Sequence, residues 1–499
     1  MKFLGIRYDA HDSNITYTNG TQLKYLSTER LYDEKHHGWK NDWSWKSILT
    51  KWNIDLKDID AIALVIDDNV IDKDKVCRSY KEGLHVNGEP IPCPVFVIDH
   101  HYAHALSLWP MGEIPEVNYV YDGFGNHNRS QTTFHKDKII DESISDSLGK
   151  ILSHVGSNLL EWGKNKKKGS ELDYAELDYA GKITGLSAYG IFDSEHAESC
   201  NKFSVEELIE IWNPSSYKKQ WQENAFNINW LHTCHKISVD KIAEHVLNND
   251  EEVIGWSGGV AQNCVINGKL MSSDKKIVIP PHVNDCGLSI GAVEYLRQYY
   301  KQDKFDTTGF PFWQDDEAPP DEPSKAVIKE TAKVISEGCV VGWYQGHGEI
   351  GPRALGNRSI LVGGDVRDAK EFLNHNVKFR ENYRPYGAAV LREDVSEHFE
   401  CDIDVPYMNA AFKVKNPERF PAITHVDGTC RVQTVDGDSH FAELLREYKK
   451  NTGHSVVLNT SMNVSGKPIC NKLWQAYDLY VKNLGIEYMV IGNDFLGGN

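Results

Sequence analysis

His100 and His104 stand four residues apart in the run Asp99-His100-His101-Tyr102-Ala103-His104-Ala105. On a helix, positions i and i+4 share a face, so two imidazoles can reach one metal ion. Two carboxylates close apolar runs beside glycines, Asp122 in Tyr121-Asp122-Gly123-Phe124-Gly125 and Asp285 in Asn284-Asp285-Cys286-Gly287. Two histidines and two carboxylates make a donor set for a divalent transition metal that keeps open positions.

A second group of residues suits an oxyanion. Arg353, Asn357 and Arg358 lie in Gly351-Pro352-Arg353-Ala354-Leu355-Gly356-Asn357-Arg358-Ser359. Lys378, Arg380 and Arg384 lie in Lys378-Phe379-Arg380-Glu381-Asn382-Tyr383-Arg384-Pro385-Tyr386, and Arg431, Asn459 and Ser461 follow. Arginine offers a planar, bidentate fork to phosphate, and the surrounding amides and glycines add neutral donors.

The elements that must position these residues read as alternating strands and glycine turns. Phe3–Tyr8, Ile15–Thr18 and Leu23–Ser27 form a meander, and Val117–Asp122, Gln131–His135 and Lys138–Asp141 repeat it. Such turns aim backbone N–H groups at a cleft, so Gly123 and Gly125 are candidate nucleotide contacts. Two copies suggest a duplicated α/β domain with a nucleotide between its halves. A third turn, Gly255-Trp256-Ser257-Gly258-Gly259-Val260-Ala261-Gln262-Asn263, leads into a helix expected to run through Leu270, which makes Gly258, Gly259 and Asn263 candidates for the same ligand. Neither a P-loop nor a dinucleotide-binding fingerprint is present.

Between Lys301 and Ser324 the pattern gives way to proline and acidic residues, the composition of a linker. The expected division is 1–305, a linker over 306–324, and a second domain over 325–499. A length of 499 residues accommodates more than one domain. The net charge of -18 removes any global attraction to nucleic acid or anionic membranes. The ten cysteines show no paired spacing, so reduced thiols and a cytoplasmic location are expected. No apolar run approaches the ~18 residues of a membrane span, and no membrane partner is expected.

Taken in order, these motifs resemble the O-carbamoyltransferases of the nodulation and antibiotic-tailoring type. The resemblance also uses Gly181-Lys182-Ile183-Thr184-Gly185-Leu186-Ser187-Ala188-Tyr189-Gly190 and Leu458-Asn459-Thr460-Ser461, and it spans nearly the whole chain. It implies an N-terminal domain of duplicated actin-like ATPase fold, similar to the tRNA threonylcarbamoyl-transfer protein. It implies a smaller α/β C-terminal domain that forms carbamoyl-adenylate from carbamoyl phosphate and ATP, with Mg2+ accompanying the ATP. The family's metal site is read as iron, and its ligands match His100, His104, Asp122 and Asp285. The N-terminal domain would pass the carbamoyl group to an acceptor hydroxyl. A bound metal can act as Lewis acid in that step. His11 and Asp12, in the first turn, are candidates for the base. Arg353 and Lys378 are the catalytic candidates of the adenylating half.

The chain departs from the resemblance at Gln262, where leucine is common, and over Trp162–Tyr174, which is longer and more basic. Lys164, Lys166, Lys167 and Lys168 there make either a solvated loop or a finger for an anionic acceptor. The acceptor is therefore a sugar or natural-product hydroxyl, or a hydroxymethyl-pyrimidine nucleotide or DNA. A homodimer is one expected assembly. Two alternatives stay open: a threonylcarbamoyl-type tRNA-modifying enzyme, and a non-carbamoylating nucleotide-binding protein of the actin-like fold.

Overall fold

The computed structural model describes residues 1–8, 11–39, 44–80, 84–86, 89–144, 148–150, 152, 177–202, 225–482 and 485–497. The lysine-rich stretch with Lys164, Lys166, Lys167 and Lys168 lies outside the described residues. The chain divides into two compact units. One comprises Met1–Tyr32, His36–Ile266 and Ser273–Phe310; the other comprises Asp33–Lys35, Asn267–Ser272 and Pro311–Asn499.

The first unit holds two main sheets. The strands of the first are β1 (Phe3–Arg7), β2 (Asn14–Thr18), β3 (Leu23–Ser27), β4 (Ala61–Val65), β5 (Cys77–Tyr80) and, beyond a short hairpin of β6 (His85–Val86) and β7 (Glu89–Pro90), β8 (Val95–Ile98). They lie in the order β3-β2-β1-β4-β8-β5. The tight turns make β1, β2 and β3 antiparallel, whereas β1, β4 and β8 run parallel. The second sheet comprises β9 (Val117–Tyr121), β10 (Gln131–His135), β11 (Lys138–Ser143), β12 (Val253–Ser257) and β13 (Lys276–Val278), in the order β11-β10-β9-β12-β13. The same directions recur: three antiparallel strands, then two parallel to β9. The fold class is α/β, as the strand-and-turn pattern implies.

Alternation along β1 explains its burial on both faces. Leu4 and Ile6 join Ile15, Leu26, Ile62 and Val95 in a core closed by Trp45, Ile48 and Leu49 of the helix Ser44–Lys51. On the other face lies the helix Leu288–Tyr299, so close that a Cβ on Gly5 would stand 2.2 Å from the Ser289 carbonyl. That helix meets the helix His100–Leu106 at Gly291, where a Cβ would stand 1.9 Å from the Ala103 carbonyl. Only glycine permits this approach, and the approach sets Asp285, just ahead of one helix, beside the histidines of the other.

The second unit is built on one eight-stranded sheet: β14 (Val341–Tyr344), β15 (Arg358–Gly363), β16 (Gly387–Leu391), β17 (Ala410–Lys413), β18 (Thr429–Val435), β19 (Val457–Ser461), β20 (Tyr488–Ile491) and β21 (Asp494–Gly497), ordered β17-β18-β16-β19-β15-β14-β20-β21. Both faces are covered, and successive residues serve opposite cores. Leu361, Ala389 and Leu391 pack under the helices Lys325–Ser336 and His440–Thr452, while Ile360, Val362, Ala388 and Val390 face the other core. Part of the stretch expected as a linker is integral to this unit: Asp316 pairs with Arg358, and the Glu317 carbonyl accepts from the Tyr344 hydroxyl. Among the described residues eight cysteines are free thiols, and Cys234 is disulfide-bonded, contrary to the expectation of reduced thiols. Among the described residues no helix is long and apolar enough to cross a membrane.

Candidate functional site

Asp99 caps the helix His100–Leu106, its carboxylate accepting from the Tyr102 amide at 3.0 Å, and Arg129 holds that carboxylate from the other side at 3.0 Å. The capped helix presents His100 and His104 on one buried face. Their Nε2 atoms lie 3.1 and 3.0 Å from Asp122 Oδ2, and 3.5 and 3.4 Å from Asp285 Oδ1. One donor atom from each of the four residues falls within 4.8 Å of the others. Metal–ligand bonds of ~2.1 Å separate adjacent ligands by about 3.0–3.4 Å, so these nitrogens and oxygens are spaced as neighbours on one coordination sphere. Burial opposes ionisation of Asp285, but His100 and Arg7 overcome it and hold the carboxyl well below the usual carboxylate range. The cluster can hold a divalent metal ion.

Each carboxylate is fixed by groups that the spacing of motifs does not reveal. Asp122 Oδ1 accepts from the amides of Gly123 at 2.7 Å and Gly259 at 3.2 Å. The side-chain amide of Asn14 donates to the Asp285 carbonyl at 2.8 Å, and its oxygen accepts from the Ser289 amide at 3.0 Å. Arg7 donates to Asp285 Oδ2 at 3.0 Å and, through both terminal nitrogens, to Asp67. Asp67 Oδ1 lies 3.0 Å from His100 Nδ1.

The first turn joins this centre. His11 Nδ1 lies 3.1 Å from Asp12 Oδ2 and 3.9 Å from Asp285 Oδ2. Asp12 is buried with a left-handed φ of 49°, and it also faces His36 Nδ1 at 3.0 Å. Burial penalises the charged Asp12, yet His36 and His11 outweigh it and keep the carboxyl well below its ordinary range. His11 Nδ1 thereby faces a carboxylate, the arrangement that leaves Nε2 for proton transfer.

Of the glycines expected at a nucleotide, Gly259 spends its amide on Asp122, and Gly258 sits at φ 92° where a Cβ would strike the Tyr121 carbonyl at 2.2 Å. Gly125 packs under His101, whereas Gly123 has open space around its Cα. Asn263 caps the helix Cys264–Met271 by accepting from the Val265 amide at 3.1 Å, and its Nδ2 donates to His235 Nε2 at 2.8 Å. His235 Nδ1 lies 3.3 Å from the Ser187 hydroxyl, so His235 ties the Gly258–Asn263 turn to the Gly181–Gly190 motif.

In the second unit the basic residues separate by role. Arg358 is fully buried and donates to Asp316 and to the carbonyls of Gln345 and Gly346, with its guanidinium carbon 3.6 Å from the Tyr344 ring centroid. It is an internal ion pair, and the expected contact with a phosphate is replaced by Asp316, a residue of the supposed linker. Glu349 Oε1 accepts from the amides of Leu355, Asn357 and Arg358, which shapes the loop carrying the half-buried Arg353. The Asn357 side chain is used on the His347 carbonyl at 2.8 Å.

Lys378 Nζ donates to the carbonyls of Ser461 at 2.6 Å and Asn463 at 2.8 Å, and to Asn463 Oδ1 at 2.6 Å. Burial, and then Arg380, pushes its pKa well below the ordinary lysine value. Arg380 donates to Asn374 Oδ1 at 2.8 Å and stacks over Tyr386 at 4.4 Å. Burial lowers it to about 10, with Arg384 and Arg431 adding repulsion. Arg384 faces Glu381 at 3.6 Å, and Asn459 is held by Gln433 Oε1 at 2.8 Å. Lys378, Arg380, Arg384 and Arg431 therefore form a mutually repelling group that an anion would relieve.

Residues 332–497 match the family model described as Carbamoyltransferase C-terminus. The nodulation protein NolNO of Sinorhizobium fredii is 34% identical over 289 residues, covering 51% of this chain and 42% of that protein. A 3'-hydroxymethylcephem-O-carbamoyltransferase of Amycolatopsis lactamdurans is 30% identical over 341 residues, 64% of each chain. The chain is thus similar to O-carbamoyltransferases. The match covers 42–52% of the length of the first curated relatives. A solved HypF structure from T. kodakarensis aligns over 60% of this chain and 48% of that one, at 12% identity and a TM-score of 0.37.

The residues missed by motif reading are Arg7, Asp67, His36 and Glu349. Arg7, Asp67 and His36 lie far in sequence from the groups they serve, whereas Glu349 serves amides six to nine residues away. One local signal existed: Arg7 ends the otherwise apolar strand β1, and Asp67 lies two residues past the apolar strand β4, a placement that is costly for a buried charge without a partner.

Proposed function

We propose that this protein is an ATP- and carbamoyl-phosphate-dependent O-carbamoyltransferase acting through carbamoyl-adenylate. The observation that carries the reading is the buried centre of His100, His104, Asp122 and Asp285, in a chain whose other unit matches the family's C-terminal model. In the second unit, carbamoyl phosphate, ATP and water give carbamoyl-adenylate, phosphate and pyrophosphate. Arg353, Arg380, Arg384 and Arg431 bind the anionic groups, with Mg2+ accompanying ATP. Lys378 holds the Ser461–Asn463 segment that lines this region.

The first unit, with its repeated strand order, is the actin-like transferase half. The acceptor hydroxyl oxygen bonds to the carbamoyl carbon, the bond from that carbon to the AMP oxygen breaks, and the hydroxyl proton passes to His11 Nε2. His100, His104, Asp122 and Asp285 would hold the metal, iron(II) by family resemblance, whose chemistry when bound is Lewis-acid polarisation of the carbonyl. Asp12 and His36 keep the His11 ring oriented.

The test incubates the purified chain with ATP and carbamoyl phosphate and measures pyrophosphate. Release that depends on carbamoyl phosphate supports the reading, and release indifferent to it refutes it. A panel of sugars, natural-product alcohols, nucleosides and hydroxymethylated DNA then identifies the acceptor. If the acceptor is DNA, alanine at Lys164, Lys166, Lys167 and Lys168 should flatten the salt dependence of binding, each lost phosphate contact removing roughly 0.7–0.9 from the log–log slope.

A further inference from the structure

Arg7 and Asp67 form a closed circuit with two of the four residues at the metal centre. The register of the parallel pair explains their meeting: Arg7 of β1 stands opposite Val65 of β4, and Asp67 follows two residues later. The Arg7 guanidinium, buried with none of its side chain exposed, grips both oxygens of Asp67, at 2.7 and 2.9 Å. The same NH2 group also donates to Asp285 Oδ2 at 3.0 Å, leaving Asp285 Oδ1 toward the histidines. Asp67 Oδ1 in turn lies 3.0 Å from His100 Nδ1.

The two histidines are therefore supported unequally. His100 has a carboxylate on its Nδ1, whereas His104 Nδ1 is buried with no hydrogen-bond partner among the described residues. A carboxylate accepting Nδ1–H fixes the tautomer, orients the ring and makes Nε2 a better donor to metal. Asp67, with its side chain 44% exposed, lies at the solvent edge, outside the group of four clustered donors.

We infer that Asp67 and Arg7 are positioning residues of the metal centre: Asp67 sets the tautomer and plane of His100, and Arg7 locks Asp67 and Asp285 in one frame. The inference rests on the metal reading given above. It assigns most of the centre's rigidity to one side, that of His100 and Asp285, with His104 following from the helix alone.

The experiment is Co2+ binding by the full chain, read as affinity in chelator competition and as the visible ligand-field spectrum, with folding checked by circular dichroism. The wild-type chain should bind one Co2+. Asp67→Asn should weaken binding about 10- to 100-fold and change the spectrum, and Asp67→Glu should recover part of both. Arg7→Lys, which keeps the charge but loses the fork, should also weaken binding, and it carries the test if Asp67→Asn fails to fold. Wild-type affinity and spectrum in both Asp67→Asn and Arg7→Lys would overturn the positioning role while leaving the metal reading intact. No Co2+ bound by the folded wild-type chain would overturn the metal reading itself.

Discussion

The amide of Gly259 donates to Asp122 Oδ1 across 3.2 Å, and a Cβ built on Gly259 would stand 2.6 Å from that same oxygen. One atom of backbone thus holds a candidate metal ligand and leaves no room for a side chain. Gly259→Ala should push Asp122 off its position and weaken metal binding by on the order of 10-fold or more. Gly123→Ala, at a site with nothing within 4 Å, is the matched control. Equal Co2+ affinity in the two variants would show that the contact is unimportant.

The two units should fail separately. His100→Ala or Asp285→Ala should abolish carbamoyl transfer and metal content while pyrophosphate release persists, because the cation group lies in the other unit. Lys378→Ala should lose pyrophosphate release, and with it transfer, while metal content persists. It also strips a donor from three half-buried oxygens of Ser461 and Asn463, of which Asn463 Oδ1 keeps the Ser461 hydroxyl at 2.7 Å. Parallel pyrophosphate and transfer assays decide the matter, and equal loss of both activities in His100→Ala would count against the division.

Arg358 and Asp316 should matter for stability. Both side chains are fully buried, and Asp316 also takes the Gly348 amide at 2.9 Å. Asp316→Asn leaves the guanidinium without its carboxylate, which should cost ~3–5 kcal/mol in denaturant unfolding of the second unit. A loss below ~1 kcal/mol would mean that Arg358 finds its stabilisation elsewhere.

His235 should make the first unit acid-sensitive. Burial, with His232 adding repulsion, lowers its pKa from 6.5 to about 4. Above pH 6.5 the ring is neutral in both folded and unfolded chains and contributes no pH dependence. As pH falls below 6.5 the unfolded chain takes up a proton that the folded chain refuses until about 4, so stability declines across that window. The loss reaches ~2 kcal/mol at pH 5 and ~3 kcal/mol near the folded pKa. Urea melts at pH 7.5 and 5 should differ less for His235→Gln than for wild type by about 2 kcal/mol. An unchanged difference would show that His235 is not the group responsible.

What the sequence determined by itself was local. The spacing of His100 and His104 on one helical turn, the meanders over 3–27 and 117–141, and the placement of Asp122 and Asp285 at the ends of apolar runs are written in neighbouring residues, and the structure brings those four side chains together. The basic cluster was legible as a group, because cations crowded among glycines and amides are conspicuous in an acidic chain. Tertiary structure decided which member does what. Arg358 was indistinguishable from its neighbours until Asp316 folded against it, and Gly259 looked like a phosphate contact until β9 and β12 paired and set its amide on Asp122. Asp67 reaches His100 across 33 residues of sequence, and Arg7 reaches Asp285 across 278. Contacts of that kind depend on strand register and on the close helix approaches at Gly5 and Gly291, and no periodicity in a single stretch of chain encodes them.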